Sequence, residues 1–214
     1  MNSSEVLDKG FVKLIDVMGS DKSIVNSARI SFSKQVEEVQ SKDEKLIKYL
    51  WDNKHTSPFR HATLQFHIKA PLFVLRQWMK HQIGCSWNEV SGRYVEFNAD
   101  FYLPTNWREQ HESNKQGSKG SIADQEKAGL TYVDSMHFSI NRYLELLDLG
   151  VCKEQARMVL PLSLYTECYW TASLQAVMHF LELREDHHSQ WEIQQYAKAV
   201  RSLSSPHFPI SLSL

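Results

Sequence analysis

His61-Ala-Thr-Leu-Gln-Phe-His-Ile-Lys69 runs through Ala70 into Pro71-Leu-Phe-Val-Leu-Arg-Gln-Trp-Met79, and the apolar pattern changes between the two. In the first stretch Leu64, Phe66 and Ile68 alternate with Thr63, Gln65 and His67, which predicts a half-buried strand. In the second, Pro71 suits the first turn of a helix, and Leu72, Leu75 and Met79 recur at i, i+3 and i+7. Gly84 is expected to end that helix. Cys85 to Gly92 then reads as a loop leading into Tyr94-Val-Glu-Phe97.

Other elements extend the pattern in both directions. Phe11 to Val17 alternates in part and reads as a strand, and Lys42 to Trp51 as a helix with Leu46, Ile47, Leu50 and Trp51 on one face. Arg108 to Gln125 is polar and reads as an exposed loop. A long amphipathic helix is expected from Asp124 to about Leu149, stopped by Gly150. Cys152 to Val159 suggests a short helix ended by Pro161, and Leu162 to Trp170 has strand character. Thr171 is a plausible N-cap for a helix to Leu183, and Asp186 for a final helix through Ser202. The tail after Pro206 is expected to be poorly ordered. The sum predicts one α+β domain over residues 1–214, helix-rich around a small, mainly antiparallel sheet, without a Rossmann domain.

Composition narrows the classes. With 214 residues and 42% hydrophobic side chains the chain can bury a sizeable core. A net charge of −1 gives no support for a general nucleic-acid surface. No apolar stretch is long enough for a membrane span, and the N-terminus lacks the signature of a signal peptide. Cys85, Cys152 and Cys168 are odd in number and show no CxxC spacing, so reduced thiols in a cytoplasmic protein are the expected state.

The chemistry concentrates in Arg76-Gln-Trp-Met-Lys-His-Gln-Ile-Gly-Cys-Ser-Trp-Asn-Glu-Val-Ser-Gly-Arg-Tyr94. A solvated charge run would not interleave Trp78, Met79, Ile83 and Trp87, and a core segment would not carry Arg76, Lys80, Glu89 and Arg93. The mixture suits the wall of a pocket for a flat, anionic ligand. The chain has no GxGxxG, phosphate-binding GxxxxGK, GxSxG or HExxH. His187 and His188, if helical, point about 100° apart, so no metal site is expected. Cys168 reads as a buried core thiol, while Cys85, with cationic neighbours, leaves a thiolate open.

These residues resemble the flavin-dependent thymidylate synthase family. Its signature is Arg-His-Arg, seven or eight residues, then Ser; here Lys80-His81-Gln82 leads through Asn88-Glu-Val to Ser91-Gly-Arg93. The likeness extends to His55-Thr-Ser-Pro-Phe-Arg-His61, Arg76-Gln-Trp78, Glu154-Gln-Ala-Arg-Met-Val-Leu-Pro161, Leu181-Glu-Leu-Arg184 and Gln190-Trp-Glu-Ile-Gln-Gln-Tyr196, in the family's order. No cysteine follows a proline, the setting of the nucleophile in the classical enzyme.

The resemblance implies reductive methylation of dUMP to dTMP, with methylenetetrahydrofolate as carbon donor, NADPH as reductant, FAD as cofactor, and a homotetramer with shared active sites. It implies Arg184 as the catalytic group and Gln77, Lys80, Glu89, Ser91, Gly92, Arg93 and Arg157, with Arg184, as dUMP contacts. FAD contacts would be Ser31, His55, Lys80, His81, Gln82, Glu89, Ser173, Gln175 and His179. Lys80 and Gln82 depart from the family's arginines, and Ser173 and His179 stand where asparagines are expected. A related pyrimidine-nucleotide hydroxymethylase, or a non-catalytic binding protein of this fold, remains open. Taken alone, Arg157 is also readable as the helical partner of Glu154, and Arg184 as a helix C-terminal cation.

Overall fold

Strand alternation sets the centre of the molecule, seen in a computed structural model that describes residues 2–96 and 100–214. Strands β1 (Ser3–Val6), β2 (Gly10–Met18), β3 (Thr63–Pro71), β4 (Cys85–Glu89) and β7 (Tyr165–Ser173) form one antiparallel sheet in the order β1-β2-β3-β7-β4. A small hairpin pairs β5 (Arg108–Gln110) with β6 (Ser118–Ser121). The helices are α1 (Asp21–Arg29), α2 (Ser41–Asp52), α3 (Leu72–Trp78), α4 (Gln125–Asp148), α5 (Lys153–Ala156), α6 (Leu174–Arg184) and α7 (Trp191–Ser204). The helix-rich α+β class expected from the sequence is the class observed.

Register gives the sheet one dry face. Phe66 lies opposite Trp170, and Trp170 opposite Trp87, so three aromatics cross the strands in one row. Their rings stack at 5.4 and 5.6 Å, within the range in which aromatic pairs attract beyond their area alone. Leu64, Phe66, Ile68, Trp170 and Ala172 are buried, while His67 and Tyr169 stack on the opposite, polar face. Helices α3, α6 and α7 close the dry face. Trp78 stacks on Phe180 with ring centroids 4.5 Å apart.

Five local expectations are corrected. Helix α3 ends at Trp78, well before Gly84, and Cys85 to Glu89 is strand β4. Trp87 must face inward to join the aromatic row, and ladder bonds to β7 outweigh the loop-like composition. The polar Arg108-to-Gln125 segment holds the β5–β6 hairpin. Strand β7 runs to Ser173, so Ser173 and not Thr171 caps α6, its hydroxyl accepting from the Ala176 N–H. Asp186 spends its carboxylate on the His188 N–H, and Gln190 precedes α7.

The tail is also packed. Buried Asp21 accepts from the Ile210 and Ser211 N–H groups, and Phe208 is fully buried. A buried carboxylate needs such donors, and two backbone amides of the tail supply them. Phe97, at the end of the segment expected to follow the loop, lies outside the described residues.

Candidate active site

Gly84 decides how the Lys80-His81-Gln82 triplet sits. Its φ is +73°, and a Cβ there would stand 2.7 Å from the Ser173 hydroxyl, so a side chain would strain the backbone and displace that hydroxyl from its cap on α6. The Gly84 carbonyl accepts from the Ser173 N–H at 2.9 Å, which seats the turn after α3 against the start of α6. His81 therefore lies along α6, with ring centroids 5.7 Å from His179 and 5.3 Å from Phe180. At the far end of α6, Arg184 Nε donates to His81 Nε2 at 2.9 Å, across 103 positions of sequence. Burial and the Arg184 charge, with a smaller contribution from His179, lower the His81 pKa to about 4. At neutral pH His81 is an uncharged acceptor for the Arg184 Nε–H.

Gln77, one turn before His81, donates its side-chain amide to Gln190 just before α7. Sequence reasoning did not single out Gln190, although it opens the Gln190-to-Tyr196 block. Lys80 and Gln82 are exposed beside His81, and Ile83 next to them is 91% exposed. Gln175 and His179 lie one turn apart on α6, half-buried and exposed respectively.

A second group gathers at the other end of β4. Glu89, Ser91 and Arg157 line a cavity of about 270 Å³ with Leu72, Val90, Leu160 and Leu164. Burial raises the Glu89 pKa, opposed by the Thr166 hydroxyl and the Arg157 charge. Arg157 does not pair with the Glu154 carboxylate; its Nε donates to the Glu154 carbonyl oxygen at 3.4 Å. That carboxylate instead faces Arg93 at 3.7 Å, and Gly92 beside it in sequence is buried. Strand β4, which leads from the turn at Gly84 to Glu89, is four residue steps long, or roughly 13 Å. Ser31 and His55 are exposed in the connections after α1 and α2.

None of the thiols is set up as a nucleophile. Burial raises the Cys85 pKa and pushes Cys168 up to about 12, opposite to what a thiolate mechanism needs. Cys152 is exposed outside both groups. A folded triple variant with Cys85, Cys152 and Cys168 replaced by serine or alanine is expected to retain product formation. Complete loss in a folded Cys85→Ala protein would show a thiolate role.

His187 and His188 correct the expected helical geometry. They stand in a turn with ring centroids 3.7 Å apart, and their nitrogens and an Asp186 oxygen lie within 4.8 Å of one another. All three residues are exposed.

The depressed His81 pKa predicts a pH effect. An unfolded histidine takes up its proton near 6.5, whereas folded His81 resists until about 4. Its contribution is therefore intact above 6.5 and is lost progressively as pH falls from 6.5 toward 4. Urea midpoints at pH 7 and pH 5 should converge more for His81→Asn than for wild type. Equal losses in both proteins would show that His81 is not the responsive group.

Comparison with known proteins identifies the family. The family model described as thymidylate synthase complementing protein matches residues 13–210. A flavin-dependent thymidylate synthase of Thermus thermophilus is 45% identical over 206 residues, covering 96% of this chain and 75% of that protein. One from Thermotoga neapolitana is 46% identical over 198 residues, covering 92% and 87%. Among solved structures, the UMP/dUMP methylase PolB of Streptomyces cacaoi bound with 5-Br dUMP superposes with a TM-score of 0.87 at 32% identity, covering 98% of this chain and 96% of that one. With a family model, a fold and relatives that agree over nearly the whole length, the chain is an enzyme that belongs to the flavin-dependent thymidylate synthase family.

Proposed function

We propose that the protein reductively methylates dUMP to dTMP, with methylenetetrahydrofolate as carbon donor and NADPH as the reductant of bound FAD. The observation that carries this reading is the Arg184–His81 pair, which brings a preorganised cation to the family's signature triplet. Methylation at uracil carbon 5 requires charge to be stabilised on the ring. A guanidinium held in place before reaction does so without reorganisation. Neutral His81 fixes that guanidinium through its Nε2 acceptor.

The residues present fit a flavin. Lys80 offers a charge for phosphate, Gln82 an amide, and exposed Ile83 an apolar surface for ring atoms; Ser31, His55, His81, Glu89, Ser173, Gln175 and His179 complete the proposed set. When bound, FAD supplies the hydride that completes the methyl group. On the nucleotide side, Gln77, Lys80, Ser91, Gly92, Arg93 and Arg157 orient dUMP, with Glu89 between nucleotide and flavin.

Separation of the two groups along β4 supports a homotetramer in which different subunits complete each site. So does α4, whose Leu130, Phe138 and Leu144 are exposed apolar residues. We propose residues 1–214 as one working unit of that assembly. Its three free thiols suit the cytoplasm. No helix among the described residues is long and apolar enough to cross a membrane.

The test is product analysis with purified, FAD-loaded protein, dUMP, methylenetetrahydrofolate and NADPH. A product of dTMP mass supports the reading; a hydroxymethyl product would assign the related hydroxymethylase chemistry. Arg93→Ala and Arg157→Ala should weaken dUMP binding by about 10–150-fold, the worth of one charge-assisted contact. Titration of the flavin spectrum with dUMP measures that loss.

A further inference from the structure

A polar cleft of about 760 Å³ separates the β5–β6 hairpin from the turn that joins α6 to α7. Its wall includes Arg108, His111 and Lys119 from the hairpin side and His187 and His188 from the turn, with no Asp or Glu among the described lining residues. The chain as a whole has 25 acidic against 24 basic residues, so this wall departs from the surface average. We propose that the cleft binds an anionic tail, phosphate or carboxylate, of one of the two co-substrates, a reading that rests on the function proposed above.

His111 gives the wall a defined donor. Its Nδ1 accepts the N–H groups of Ser113 and Asn114 at 3.2 and 3.1 Å. The ring proton of the neutral form therefore sits on Nε2, which makes that atom a donor suited to an anion and unsuited to a cation. Lys119 is the movable charge. Its partners are Glu112, whose side chain is 84% exposed, and Glu109 at 3.8 Å. Such exposed pairs are weak, and a multivalent anion can take the ammonium from them.

Arg108 is anchored from behind the wall. Its Nη2 meets buried Glu192 at 2.8 Å and its Nε donates to Ser118 at 2.9 Å, so it holds the hairpin in place and forms the floor of the cleft. Asp186 likewise stands behind His188, its carboxylate 2.9 Å from Nδ1.

The cleft borders a residue of the proposed site. Gln190 lines it and accepts from the Gln77 amide, while His187 and His188 follow Arg184 by three and four positions. A co-substrate reacting beside Arg184 can extend into this space. Both proposed co-substrates carry anions remote from their reacting ends: the phosphates of NADPH and the glutamate carboxylates of the folate.

The test uses the FAD-loaded full-length protein with Lys119→Glu, His111→Glu and the double variant. Lys115→Glu, on the same hairpin but outside the lining, controls for long-range charge. Inorganic tripolyphosphate is titrated calorimetrically as a probe independent of turnover. The expected result is binding to wild type and to Lys115→Glu, weakened at least about tenfold in the double variant. KM is then measured for NADPH, for NADH, which lacks the 2′-phosphate, and for mono- and pentaglutamyl methylenetetrahydrofolate. A rise confined to pyridine nucleotides assigns phosphate, and one confined to the pentaglutamate assigns carboxylates, with kcat and the dUMP KM unchanged.

Equal tripolyphosphate affinity in all variants, equal weakening in Lys115→Glu, or unchanged KM values for every co-substrate would overturn the proposal. If wild type makes no dTMP yet binds tripolyphosphate through Lys119 and His111, the anion site stands and the functional reading falls.

Discussion

Replacing Arg184 with alanine is expected to lower dUMP turnover by about 10²–10³ while leaving FAD content near wild type. The guanidinium is half-buried at the end of α6 with His81 as its acceptor, so its cost of ordering has been met before substrate arrives. Loss of a preorganised cation acts on the transition state more than on ground-state binding. Saturating dUMP should therefore leave Arg184→Ala slow but restore most of the rate of Arg157→Ala. If saturation rescues Arg184→Ala while Arg157→Ala remains inactive, the two arginines have the opposite roles. Arg184→Lys keeps the charge but not the planar fork, and should fall between alanine and wild type.

The largest stability effect is expected at Trp78. Its side chain is fully buried, stacked on Phe180 and set edge-on to Trp170 at 5.2 Å and Tyr196 at 6.0 Å. It thus joins α3, α6, α7 and the sheet at one point. Trp78→Ala should cost about 3–5 kcal/mol, the usual range for large aromatic truncations in a packed core. A domain's whole stability is only about 5–15 kcal/mol, so the variant would stand close to the edge of folding. Urea unfolding of wild type, Trp78→Phe and Trp78→Ala measures this, with phenylalanine expected to lose much less. A loss below about 1 kcal/mol for alanine would show that the neighbouring aromatics collapse into the gap. Because Phe180 also flanks the His81 ring, the folded fraction of Trp78→Ala should bind FAD more weakly.

The sequence by itself determined the elements whose pattern is local. Alternation over Thr63 to Lys69 and Phe11 to Val17 located β3 and β2, and apolar spacing with Asp124 and Gly150 located α4. The ordered blocks from His55 to Tyr196 determined the family, because their residue types and order survive without reference to coordinates. Strand β4 was not legible, since its five residues become a strand only when β7 offers its edge and Trp87 finds Trp170. The tail was hidden for the same reason: its partner, Asp21, lies 189 positions earlier.

Tertiary structure alone decided the arrangement of the site. Which acceptor Arg184 meets, which residues join Glu89 at the end of β4, and what the β5–β6 hairpin encloses all depend on pairings between segments far apart in the sequence. Periodicity records how a segment meets water and core, an interaction nearly independent of the identity of the partner. Contacts between particular side chains depend on register, caps and close approaches such as that at Gly84, and these arise only when the whole chain has packed.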